Sequence, residues 1–179
     1  MEKIRSIDIM NDKKLTIRIN IVAVILMIFF YIFFTGVTVF WPTGNFGQSY
    51  QLGNIIFGLL LLFALIVIHE LIHGLFFKLF SPTGKVKFGF KNGMAYAASP
   101  GSKYTKGKFA WISAAPFVLI TSCLTAAYLL GIMPAGAYIL FAATHAGACV
   151  GDFYWCLLLV KAPPKTLVED TEVGIDLYL

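Results

Sequence analysis

The sequence predicts an all-α integral membrane protein, with four transmembrane helices and a cytoplasmic β-hairpin between the second and the third. Three observations predict it. Of 179 residues, 59% are hydrophobic and only 13% charged, against about 25% charged in an ordinary soluble domain, so the apolar excess has to face lipid. Between Ile19 and Val160 the only acids are Glu70 and Asp152, and the other seven lie in the two tails. The basic residues fall into blocks that separate four nearly uncharged segments. A net charge of +5 would otherwise raise the question of nucleic acid. Its arrangement instead describes a membrane topology, and no nucleic-acid partner is expected.

The length suits one domain, residues 1–179. Residues 1–18 form a basic segment carrying Lys3, Arg5, Lys13, Lys14 and Arg18. The first span, 19–41, has no charge and is long enough for a hydrocarbon layer of roughly 30 Å. Its apolar run exceeds a signal-peptide core, no small-residue cleavage site follows, and Trp41-Pro42 marks an interfacial end. The further spans are 53–80, 109–130 and 135–160, followed by a tail at 161–179. The connections 42–52 and 131–134 are uncharged, whereas 81–108 carries six lysines: Lys85, Lys87, Lys91, Lys103, Lys106 and Lys108. By the positive-inside rule, both termini and the 81–108 connection face the cytoplasm.

Within that connection, residues 85–91 alternate, with Val86, Phe88 and Phe90 on one side and lysines on the other. Asn92-Gly93 then supplies a two-residue turn and 94–98 a partner strand, which predicts a hairpin. A solvated face near anionic headgroups suffices as the role of its lysines.

The chemistry is concentrated in the second span, which reads Val67-Ile68-His69-Glu70-Leu71-Ile72-His73-Gly74, an H-E-x-x-H motif. On a helix His69 and His73 stand one turn apart on one face, so both imidazoles can reach one zinc ion. Glu70, about 100° round, can contact a water on that metal. Zinc would lower the pKa of the water toward about 7 and Glu70 would accept its proton as it attacks a carbonyl. In a soluble helix such a five-residue pattern recurs by chance. In a lipid span, a carboxylate flanked by Leu65-Ile66 and Leu75-Phe76 has no role as a surface group.

A catalytic zinc needs a third protein ligand. Asp152 is the other acid in the apolar region. His69 lies nine residues before Lys78 and Asp152 nine before Lys161, so both sit roughly 13 Å along a helix from the basic boundary. His145 and Cys149 fall on the same face of a straight fourth helix as Asp152 and Cys156, and either could serve in its place. His145, about two turns deeper, suits catalysis by holding a substrate carbonyl or polarising an oxyanion, or a simple interhelical hydrogen bond. Cys123, Cys149 and Cys156 are expected to be reduced packing residues rather than a disulfide framework. Pro116, in Ser113-Ala114-Ala115-Pro116, is expected to kink the third helix, either to admit water or simply as a tolerated bend.

These residues resemble a domain-of-unknown-function family of small bacterial membrane proteins grouped as zincin peptidases, over roughly residues 53–179. More distantly they resemble the site-2 protease class of intramembrane metalloproteases. The resemblance rests on His69-Glu70-Leu71-Ile72-His73, the hairpin, Ala115-Pro116 and Gly151-Asp152. It implies that His69, His73 and Asp152 bind Zn2+, that Glu70 is the catalytic base, and that the hairpin holds substrate as an added strand. Where that class has an asparagine about two turns before the aspartate, this chain has His145.

The expected function is zinc-dependent hydrolysis of a peptide bond in or beside the bacterial cell membrane. The expected partners are membrane lipid and a peptide or membrane-protein substrate. Two alternatives stand beside it: a metal- or haem-binding membrane protein using His145 with His69 or His73 as axial ligands, and a pseudoprotease with a regulatory role.

Overall fold

Asp12 starts the first long helix, its carboxylate accepting the N–H groups of Lys14 and Leu15 at 3.0 Å. In the computed structural model, which describes residues 1–43, 52–91 and 93–179, this helix is α1, Lys13–Phe40. A short strand, β1 (Lys3–Asp8), precedes it. Then come α2 (Leu52–Phe80), β2 (Lys87–Lys91), β3 (Met94–Ala98), β4 (Lys103–Thr105) and α3 (Lys106–Leu129). The chain ends with α4 (Ala135–Ala148), α5 (Val150–Lys161), β5 (Leu167–Thr171) and β6 (Gly174–Tyr178).

The protein is mostly helical, and α1, α2 and α3 are each long and apolar enough to cross a membrane. Side chains such as Ile25, Ile28 and Phe33 on α1, and Phe57, Leu60 and Phe63 on α2, are exposed. That surface is compatible with a membrane protein.

The single helix expected at 135–160 is instead two helices, α4 and α5, bent by 46° at Cys149. Gly147 and Gly151 flank the break, and glycine is where an apolar helix yields most readily. The all-α expectation also needs revision. Both tails are strands, and together with β4 they form an antiparallel sheet in the order β1-β6-β5-β4. Because β1 precedes α1, β4 precedes α3 and β5 follows α5, this sheet gathers three helix ends and both termini at one end of the molecule.

The hairpin forms as expected, β2 pairing with β3 in the register Phe88 to Ala97. Asn92 of its turn lies outside the described residues, and Gly93 has the positive φ of +81° that the turn requires. Gly74, directly after the second motif histidine, lets the hairpin dock on α2: the Phe88 ring occupies the space that a Cβ there would need. α3 begins at an N-cap, Thr105. The ammonium of Lys106 donates to the Ala162 carbonyl at 3.0 Å, satisfying the C-terminal end of α5.

Two apolar clusters bracket the middle of the molecule. One, at the sheet end, joins Phe77, Tyr104, Phe109, Ile112 and Leu159 to Val168, Ile175 and Leu177 of the sheet. The other packs Phe34, Leu124, Tyr128 and Tyr138 against the small residues Ala142, Ala143 and Ala146 of α4. Stacked rings of Tyr128 and Tyr138, 4.7 Å apart, close that end, and the Tyr128 hydroxyl donates to the Trp41 carbonyl at 2.6 Å.

The chain termini are joined by charge. Asp176 on β6 accepts from Lys3 Nζ and Ser6 Oγ of β1, each at 2.6 Å. Loss of hydration would raise its pKa, but those hydrogen bonds and the Lys3 charge prevail and hold the carboxyl below the usual range. A depressed carboxylate stabilises the fold above its unfolded pKa, and that contribution is lost as pH falls through the folded value. Protection of β1 amides is therefore expected to hold from neutrality to about pH 5 and to decline below about pH 4. Hydrogen exchange, corrected for intrinsic rates, measures this, and in Asp176→Asn the pH dependence should vanish.

Candidate metal centre

Three apolar-segment residues with metal-donor chemistry converge: His69, His73 and Asp152. His69 and His73 project from one face of α2, and Asp152 comes from the first turn of α5. His69 Nε2 and His73 Nε2 are 3.1 Å apart, and the Asp152 carboxylate oxygens lie 3.3 Å from the first and 3.2 Å from the second. In a tetrahedral zinc site with ligand bonds of about 2.0–2.1 Å, donor atoms stand about 3.3–3.4 Å from one another. The donor set fits.

The outer nitrogens support the same assignment. His73 Nδ1–H donates to the Ile112 carbonyl at 3.0 Å, which leaves the Nε2 lone pair facing His69 and Asp152. His69 Nδ1 lies 3.2 Å from His145 Nε2. Lone pairs and a carboxylate gathered this closely repel unless a cation or a proton lies among them.

The Ile112 carbonyl is free for His73 because of Pro116. In an α-helix that carbonyl would accept the N–H four residues on, and proline has none. α3 runs continuously from Lys106 to Leu129 with Pro116 buried inside it. The proline frees an acceptor aimed at the metal centre without dividing the helix. Pro116→Ala is expected to raise the thermal stability of the protein yet weaken zinc binding by about 10-fold. Melting curves and zinc titration read the two effects, and unchanged or tighter binding would contradict the role.

Glu70 lines the same cavity as His69, His73 and Asp152, a space of about 530 Å³ reached by α1, α2, α3, α4, α5, β3 and the β5–β6 turn, with His145 of α4 also in its wall. Its carboxylate faces the backbone of Ala97 on β3. β2 pairs with one edge of β3, and the residues from Gly93 to Ala97 form one wall of the cavity. The sheet built from the tails contributes a further wall, Asp170 to Gly174. Lys87 Nζ to Glu172 Oε1, 2.6 Å, ties that wall to the hairpin. So one hairpin lysine has a structural partner beyond any lipid headgroup.

Asp170 also lines the cavity, and nothing in the sequence marks it, since it sits among tail acids with no motif. Its carboxyl is pushed well above the usual range, first by loss of hydration. His73 pulls the other way, and Asp152 and Glu70 add to the rise.

His145 and Cys149, the alternatives to Asp152, lie on the Nδ1 side of the His69 ring. Cys149 Sγ is 3.7 Å from His145 Nε2 and 3.9 Å from His69 Nδ1. The helix break separates this pair from Asp152, so the shared straight face expected for His145, Cys149, Asp152 and Cys156 does not form. Cys156 Sγ instead contacts the Ala110 carbonyl at 3.8 Å, and all three cysteines are free thiols. The His69 and His145 rings are in direct contact, their centroids 5.4 Å apart.

A family model described as "Putative zincin peptidase" matches residues 62–167, more than half of the chain. The chain belongs to that family. The matched region of this zincin-family protein includes both motif histidines, Glu70, the hairpin, Pro116 and Asp152. The family implies zinc, and His69, His73 and Asp152, as well as His69, His145 and Cys149, are groups that could hold a metal ion. No curated protein and no solved structure matches the chain.

Proposed function

We propose that the protein is a zinc-dependent peptidase that cuts a peptide bond within or next to a membrane. The observation that carries the proposal is the meeting of His69, His73 and Asp152, with Glu70 beside them, in one cavity between apolar helices. In this reading residues 1–179 form one membrane unit that crosses a bacterial cell membrane four times, α4 and α5 making one broken span. Both termini, the sheet and the hairpin lie in the cytoplasm. The clustering of Lys78, Lys103, Lys106, Lys108 and Lys161 near the sheet end supports that orientation.

His69, His73 and Asp152 would hold the zinc. Bound there, zinc supplies Lewis acidity, lowering the pKa of a coordinated water toward about 7 and polarising a carbonyl. Glu70 takes a proton from the attacking water and delivers it to the departing amine as the C–N bond breaks. His145 Nε2 accepts the His69 Nδ1 proton and the Ile112 carbonyl accepts that of His73, fixing both rings with Nε2 toward the centre. Leu65, Ile66, Phe77 and Ile112 keep the cavity wall apolar and limit water. The β3 edge at Ala95 and Ala97 holds the substrate backbone as an extended strand.

The test compares new amino termini in the membrane proteome of cells carrying the wild-type chain or no chain. Protein-dependent termini should appear with the wild type, disappear when purified membranes are stripped of metal, and return with zinc. Cleavage that survives stripping contradicts the proposal, and zinc-loaded protein that generates no new termini favours the pseudoprotease reading.

A further inference from the structure

His69 presents both ring nitrogens to donor atoms. Nε2 belongs to the set with His73 and Asp152, whereas Nδ1 faces His145 Nε2 at 3.2 Å and Cys149 Sγ at 3.9 Å. The remaining separation, His145 Nε2 to Cys149 Sγ, is 3.7 Å. A tetrahedral cation with bonds of about 2.0–2.1 Å to nitrogen and 2.3 Å to sulfur spaces its nitrogen donors about 3.3–3.4 Å apart, and nitrogen and sulfur about 3.5–3.6 Å apart. All three separations fall within a few tenths of an ångström of that pattern.

The surroundings point the same way. His145 and Cys149 stand one turn apart, the spacing that also aligns His69 with His73, and Cys149 is the residue at which α4 gives way to α5. Cys149 is fully buried and His145 is 6% exposed. His145 Nδ1 has no hydrogen-bond partner among the described residues. A thiol that only fills space needs no imidazole nitrogens turned toward it.

We propose that His69 Nδ1, His145 Nε2 and Cys149 Sγ form a second metal site, separate from the His69–His73–Asp152 set and sharing the His69 ring with it. Two imidazoles and a thiolate suit a borderline or soft cation such as Zn2+, Cd2+ or Cu+. Loading the site releases two protons to solvent: the thiol proton of Cys149 and the proton that His69 otherwise shares with His145. The ring of His69 then bridges two cations. None of this depends on peptide cleavage, so it stands or falls separately from the proposed peptidase activity.

Cobalt(II) titration of the full-length protein in detergent tests the site, because thiolate ligation gives a near-ultraviolet charge-transfer band that nitrogen and oxygen donors do not. The wild type should bind two cobalt ions per chain and show the band. His73→Ala and Asp152→Ala each break only the first set, so each should keep one cobalt and the full band. Cys149→Ala should keep one cobalt and lose the band, whereas Cys123→Ser and Cys156→Ser should leave it unchanged. Loss of the band in both His73→Ala and Asp152→Ala would overturn the proposal, since Cys149 would then belong to a single shared site. Absence of the band in the wild type would also overturn it.

Discussion

Replacing Glu70 with glutamine is expected to slow peptide cleavage by about 10²–10⁴-fold, the usual contribution of a positioned general base, while zinc content stays unchanged. The separation of effects follows from geometry. Glu70 lines the cavity but stands outside the donor set, which is made by the residues one before and three after it on α2 and by Asp152. Glutamine keeps the size of the side chain and its contact with the hairpin backbone but cannot take up a proton. It is also neutral, so insertion into a membrane should be no worse than for the carboxylate. Single-turnover cleavage of a membrane-anchored peptide, read beside elemental analysis of the same sample, measures both quantities. Activity within a few-fold of the wild type would remove Glu70 from the chemistry.

Asp152→Ala is expected to do the reverse, removing cleavage through loss of metal from the first set. Both histidines there would keep their orientation, because the Ile112 carbonyl and His145 still hold their outer nitrogens. With the carboxylate gone, two neutral nitrogens remain, and affinity should fall by more than the roughly 100-fold upper range seen for lost outer partners. Competition with a chromogenic chelator measures the change. The variant should remain folded, since the ion pairs of Asp152 run to the two histidines and its removal leaves the apolar side chains of both clusters in place. Cleavage at the wild-type rate by Asp152→Ala would exclude it as a ligand.

The helical part of the fold was legible because its signals are local. The uncharged or nearly uncharged runs at 19–41, 53–80 and 109–130 correspond to α1, α2 and α3 within a few residues, except that α1 begins at Lys13. The alternation after Lys85 and the Gly93 turn gave the hairpin. The terminal sheet was not legible, since β1 pairs with β6 from the opposite end of the chain. Alternation over five or six residues in a charged tail is too short to distinguish a strand from a solvated segment.

In the site, the spacing of His69 and His73 follows from the helix alone, and equal distance from the basic boundary brought Asp152 to their level. The break at Cys149 was signalled only by Gly147 and Gly151, and a straight helix misplaced His145 and Cys149 relative to Asp152. That Pro116 frees the carbonyl of Ile112 is arithmetic on the sequence. That His73 receives it is not, because the pairing depends on how α2 packs on α3.

Anomalous diffraction at the zinc edge from crystals of the zinc-loaded protein tests the proposed catalytic centre most directly. A zinc peak is expected about 2.0–2.2 Å from His69 Nε2, His73 Nε2 and an Asp152 oxygen, with Glu70 beside it but not bound to it. Zinc found only between His69 Nδ1, His145 and Cys149, with none against His73 and Asp152, would contradict it.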